Sequence, residues 1–320
     1  GKADLRLKLN LPLAAIEKSG VQGSVTLADN DLQFSQDSPR LSKARGVVNF
    51  SESGFSLSGA QARMLGGDVR LDGGSVAPGA GNAVSGAVAA APAIVLRAQG
   101  GVTAEGLRQA RELGFLARLA QHASGSTSYA ATLTFRRGLP ELKVQSTLQG
   151  LGLSLPAPLN KPAQAALPIR FENALLRESL LASSGDAGVL RDQLSLEMGR
   201  VGAVTYVREH SSSQTKVLRG AIGVGLSSDE AVALPEEGVL ANINLNGVDL
   251  DAWSRVLSQA AGAELTSGAA PGATAAAGAP NGNGGADALG YLPTVMAIRA
   301  GELTVGERKL HNVVAGGSRD

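Results

Sequence analysis

The chain has 320 residues, a net charge of +1 from 29 basic and 28 acidic side chains, and no cysteine. The mixed charge, with no basic stripe, gives nucleic-acid binding no support. The missing cysteines exclude disulfides, thiolate metal sites and cysteine nucleophiles, which is compatible with a periplasmic location without requiring it.

In chain order the first element is a strand written in leucine. Leu5, Leu7, Leu9 and Leu11 alternate with Arg6, Lys8 and Asn10. Period-two alternation places one chemistry on each face of a strand. The opening in mid-strand suggests a piece of a longer polypeptide, with any targeting segment outside it. Residues 4–74 read as a β-meander with turns at 20–23, 28–31, 51–54 and 66–68. The alternation returns at Val25/Leu27, Phe55/Leu57 and Val69/Leu71. Residues 75–92 are Ala/Gly/Pro-rich and read as a flexible insertion. A strand is expected near 93–99, then a helix over 103–122 capped by Thr103 and weakened by Gly106 and Gly114. Strands resume at Ser126 through Leu133, Phe135, Leu142, Val144, Leu153 and Leu155. Pro156, Pro158 and Pro162 then break the sheet, since closely spaced prolines cannot sit in a central ladder. Residues 165–247 return to strands, with turns near 185–188, 199–202 and 220–225 and a hairpin tip at Ser211–Thr215. A second helix is expected over 251–261, capped by Asp249 or Asp251. Residues 262–289 read as a second flexible insertion, and strands close the chain at about 294–300, 302–306 and 310–315.

Few residues suggest chemistry. His122, His210 and His311 lack partners at metal-ligand spacing, and His210 reads as a solvated side chain near a hairpin tip. Asp249 and Asp251 fit helix capping better than metal binding, and Trp253 reads as an anchor for its helix. The glycines at 79, 81 and 86 lack the strand-to-helix context and the Lys-Ser/Thr of a phosphate loop. No serine sits in a nucleophile elbow. The reading is therefore not an enzyme, with no cofactor and no metal. Lys161, in the proline-rich corner, is first a companion of a strand terminator. Its functional alternative is contact with an anionic headgroup.

Several segments resemble the YhdP-type members of the AsmA-like family. They are Leu148–Pro162 (LQGLGLSLPAPLNKP), Gly46–Gly54 (GVVNFSESG) followed by Leu65-Gly66-Gly67, Leu218–Gly225, Leu234–Gly238 and Val248–Trp253 (VDLDAW). Their order and spacing cover nearly the whole chain outside 75–92 and 262–289. The resemblance implies a central-to-C-terminal fragment of a protein anchored in the inner membrane of a Gram-negative bacterium. It further implies a periplasmic body built as a repeating β-groove, related to TamB and YdbH. It also implies a role in phospholipid movement to the outer membrane and in outer-membrane barrier integrity, with unidentified membrane proteins as partners at either end.

The expected fold is mainly β: one long, curved antiparallel sheet over 1–320 forming a hydrophobic groove, with two short helices packed over one edge or end. Leu5, Leu7, Leu9, Leu27, Leu57, Leu133, Phe135, Val144, Leu153 and Leu155 would line it. Exposing a sixteen-carbon acyl chain to water costs on the order of 12 kcal/mol, which such a face would remove. The expected ligand is phospholipid. The rival is a closed, adhesin-like β-scaffold whose apolar face is sealed by its own side chains. A carbohydrate-active enzyme, which needs paired carboxylates in an aromatic cleft, ranks last with one tryptophan in the chain.

Overall fold

The structure, a computed structural model, describes residues 1–11, 19–35, 38–76, 93–136, 139–176, 179, 190–211, 215–227, 232–261 and 290–319. Strands dominate because the alternating aliphatic pattern is long and continuous. In order they are β1 (Lys2–Asn10), β2 (Gly20–Leu32), β3 (Leu41–Ser51), β4 (Gly54–Met64), β5 (Gly66–Val76), β6 (Ala93–Thr103), β7 (Ala123–Arg136) and β8 (Leu139–Ser146). Then come β9 (Leu151–Leu153), β10 (Ile169–Leu175), β11 (Leu190–Met198), β12 (Gly202–His210), β13 (Thr215–Val224), β14 (Gly238–Asp249), β15 (Val295–Val305) and β16 (Arg308–Ser318). Among the described residues three short helices accompany them: α1 (Ala104–Gln109), α2 (Phe115–Leu119) and α3 (Leu250–Ala261).

The strands form one open, curved sheet in sequence order from β1 to β16, with β9 off the path and paired to β7. At about 4.8 Å per strand the sheet is roughly 65 Å long. Neighbours are antiparallel except around β14, which runs parallel to both β13 and β15. Parallel neighbours need a crossover, and α3 lies in the second one. The alternating reading had given an antiparallel sheet throughout; a strand's direction leaves no trace in its own pattern.

Strand direction also sorts the connections. The β2–β3, β4–β5, β6–β7, β8–β10, β11–β12 and β15–β16 links, with α3, all fall on one margin of the sheet. This helical margin carries α1, α2, α3 and the β9 corner. The opposite margin carries, among the described residues, the β3–β4 turn at 52–53 and the paired ends of β12 and β13.

Some expected turns are absorbed into strands. Gly20–Gly23 and Ala28–Asp31 both lie inside β2, where Asp29 has φ 56° and the register shifts between Leu27 and Asn30. A β-bulge, which bends a strand without ending it, carries the same Asp/Asn signal as a turn. Likewise Gly220 and Gly223 sit within β13, and Val295–Val305 is one strand where two are expected. The expected insertions at 75–92 and 262–289 fall outside the described residues, except that β5 extends to Val76 and β6 begins at Ala93. The turn expected at 185–188 lies outside them as well.

The 103–122 helix is real but broken. Thr103 caps α1, its Oγ1 accepting the Gly106 amide at 2.9 Å. The chain then leaves helical geometry at Ala110 and again at Gly114, where φ is 53°. Gly106 is required for another reason: a Cβ there would lie 2.0 Å from the Leu65 carbonyl oxygen. Glycine thus lets α1 close against the β4–β5 turn.

The packed core is modest. One cluster joins Leu41, Ala44, Ala62 and Val69, with Tyr129 reaching it from β7 across Gly100. A second joins Tyr206, Ile222, Val239, Ala241 and Tyr291, and a small third one sits under α1. Elsewhere the described strands form a single curved layer whose residues are mostly half-buried or exposed.

Candidate functional site: the apolar face of the sheet

Register decides which side chains share a face, because directly paired residues point the same way. From β1 the chain of partners runs Leu5, Val25, Val48, Leu57 and on through Gly73 to Leu96. It continues through Leu133, Leu142, Asn173, Leu194 and Tyr206. Gly220, Val239, Ala241 and Met296 follow on β13 to β15. The face is therefore apolar across the sheet, with Asn173 as a polar interruption. The intervening residues make the other face: Arg6, Thr26, Asn49, Arg97, Thr132, Lys143, Arg170, Glu172 and Arg299. Its ion pairs, such as Lys143–Glu172 at 2.7 Å, are half-exposed surface pairs of small energetic weight.

Eight of the ten residues read from the sequence as lining fall on this face. Leu5, Leu7 and Leu9 project from β1 and are 63%, 52% and 57% exposed. Leu27, Leu57, Leu133, Phe135 and Val144 share the face and are half-buried. Leu153 and Leu155 do not join them. β9 leaves the main path, so Leu153 packs into the cluster of Ala104, Ala123 and Leu151, and Leu155 is buried at 4% exposure. Register also adds Val48, Ile94, Leu96 and Phe171, whose alternation is diluted by glycine or polar neighbours.

Lys161 follows the structural reading and not the headgroup alternative. It is buried, and its ammonium donates to the carbonyl oxygens of Leu148 (2.9 Å), Pro162 (3.3 Å) and Leu151. Burial pushes its pKa down. It ties the proline corner to β9 and offers no free charge at the margin. Sequence spacing could not show this, because the carbonyls it binds belong to a corner closed by the Leu153–Lys161 bridge.

His210 also departs from expectation. It is not simply solvated: Nε2 lies 2.9 Å from Asp192 Oδ2, and Nδ1 lies 3.1 Å from Thr215 Oγ1. Asp192 in turn accepts two bonds from Arg208, Nε to Oδ1 at 3.0 Å and Nη2 to Oδ2 at 2.6 Å. Burial works to raise the Asp192 pKa, but the hydrogen bonds from His210 and Arg208 outweigh it and hold the carboxyl below its ordinary value. Arg208 reaches Asn173 Oδ1 at 3.3 Å and Tyr291 Oη at 3.4 Å. This cluster lies on the apolar face and was missed in the sequence, although Arg208 stands in step with Val204 and Tyr206.

At the helical margin α3 packs on α2 and β15. Asp249 Oδ1 caps it by accepting the Ala252 amide at 2.8 Å, while Asp251 accepts the Gly306 amide. Trp253 anchors the helix as expected, though to the proline corner: its Nε1 donates to the Ala157 carbonyl at 2.9 Å. Arg118 of α2 donates to the Ala260 carbonyl. Among the described residues no helix is long and apolar enough to cross a membrane, and no group of three or more His, Asp or Glu could hold a metal ion.

The family model described as YhdP protein matches residues 1–320. The chain belongs to the YhdP family. No curated protein and no solved structure matches it. The YhdP match agrees with the resemblance carried by Leu148–Pro162 and Val248–Trp253, and the open curved sheet is the expected architecture.

Proposed function

We propose that this YhdP-family chain is a lipid-binding conduit segment in the bacterial envelope. Its apolar face shields phospholipid acyl chains during movement between the inner and outer membranes and so supports the outer-membrane barrier. The observation that carries the reading is one apolar face, continuous in register from β1 to β10 and, outside the buried cluster around Leu41, Ala62 and Val69 and the buried Val102, left mostly half-buried to exposed. A soluble protein rarely leaves such a patch without a ligand. Family membership supports the same role. The reading places the chain in the periplasm, within a protein anchored in the inner membrane. It needs no nucleophile, metal or cofactor, since transfer of a tail between like surfaces breaks no bond.

Phospholipid should co-purify with the chain and be recovered by extraction or native mass spectrometry. Photo-crosslinking amino acids at Leu133 and Leu96 should capture lipid, and those at Thr132 and Thr134 on the other face should not. Equal capture by both sets would defeat the face assignment. A lipid-free chain that captures nothing would favour the closed scaffold.

A further inference from the structure

The apolar face is not equally open along its length. Leu5, Leu7 and Leu9 are more than half exposed, whereas Ile222, Val239 and Ala241, on the same face, are 7%, 2% and 1% exposed. They share one buried cluster with Tyr206 and with Tyr291, from the segment that leads into β15. Its carbonyl accepts the Tyr206 hydroxyl at 3.0 Å, and its ring stands edge-on to Tyr206 with centroids 5.0 Å apart and planes at 77°. Its hydroxyl accepts Arg208 Nη1 at 3.4 Å. Arg208 is itself locked by Asp192, and Asp192 by His210.

We propose that Tyr291 is a dam: seated on Tyr206 and Arg208, it closes the floor of β12–β14 to acyl chains, which therefore rest on β1–β10 and stop at β11. This rests on the lipid reading above and fixes where on the sheet the ligand lies. The chemistry of the seat explains why the barrier holds. A tail entering β12–β14 must displace the Tyr291 ring and leave one Arg208 donor unpaired in an apolar setting, and the Tyr206 hydroxyl as well where the Tyr291 backbone moves with its ring. Unpaired buried donors are costly, so the fully satisfied arrangement resists entry. The buried Asp192–Arg208 pair holds that seat in place from β11 and β12.

The absence of cysteine from the chain makes a clean test possible. Single substitutions Leu133→Cys, on the open floor, and Ile222→Cys, under Tyr291, are reacted with a pyrene maleimide as an apolar probe. The second is expected to react about 10-fold or more slowly, the protection that a locally closed site gives. Adding Tyr291→Ala should bring the two rates close together, and Tyr206→Phe, a milder change that spares the fold, should raise the Ile222→Cys rate in part. Tyr291→Phe, which keeps the ring and carbonyl, should leave the barrier largely standing. Equal rates with Tyr291 intact, or a slow Ile222→Cys unmoved by both Tyr291→Ala and Tyr206→Phe, would overturn the dam. A phospholipid with a diazirine in its tail supplies the second arm: it should mark Leu133 in the native chain and Ile222 after Tyr291→Ala. If the maleimide pattern holds while lipid marks neither site, the conduit reading fails and the barrier stands.

Discussion

Asp192 and Arg208 are 3% and 5% exposed, and neither tolerates losing the other. Asp192→Asn leaves the guanidinium buried without a counter-charge, so urea unfolding should show a loss of about 3–5 kcal/mol. Replacing both with apolar residues of similar volume should cost far less. Because the folded Asp192 pKa is depressed, its contribution is present above the unfolded carboxylate value of about 3.9 and is lost as pH falls through the folded value. Native stability should therefore drop more steeply below about pH 4 than in the doubly apolar variant. At this scale the sequence was partly legible. Alternation put Leu5, Leu27, Leu133 and Val144 on one face because that rule is local. It could not pair Asp192 with Arg208, or Lys161 with the Leu148 carbonyl, because those contacts depend on register and on a closed corner. Tyr129, whose hydroxyl is buried without a partner among the described residues and whose pKa burial pushes up to about 12, was equally invisible.

The helices owe little to their own sequences. α1 and α2 are one amphipathic stretch interrupted at Gly114, and each is too short to be stable alone. Their placement depends on caps and tethers. Thr103→Ala and Asp249→Ala should each cost about 1 kcal/mol and loosen the amides of the capped helix, readable by hydrogen exchange. Both caps were legible, since Thr and Asp announce helix starts before an apolar stripe. The break at Gly114 was legible only as weakness. The parallel setting of β14 was not read, although a helix and a long connection between two strands are what a parallel neighbour requires. The bulge at Asp29 was misread as a turn for the opposite reason: its residues say that the chain bends without saying whether hydrogen bonding continues.

At the scale of the molecule, the described strands form one layer that is covered in few places. A layer this thin gains stability by acquiring a cover. Adding phospholipid or lysophospholipid micelles at about 100 times the dissociation constant should stabilise the native chain by roughly 2.7 kcal/mol, seen as a higher melting temperature. Absence of any shift, with the lipid soluble and in excess, would speak for a self-sufficient scaffold. The overall architecture was the most legible feature, because a pattern repeated over many strands survives errors in any one of them. Where the face is sealed was the least legible, since Tyr291 reaches its seat from a segment far along the chain from β12.

The two margins of the sheet are built differently. On one, α1, α2, α3 and the proline corner are bound to each other through Trp253 and Arg118. On the other, strands such as β3 and β4 meet in a turn as short as 52–53. Through the first flank the middle of the chain is riveted to its far end, Ala157 to Trp253 across 96 positions.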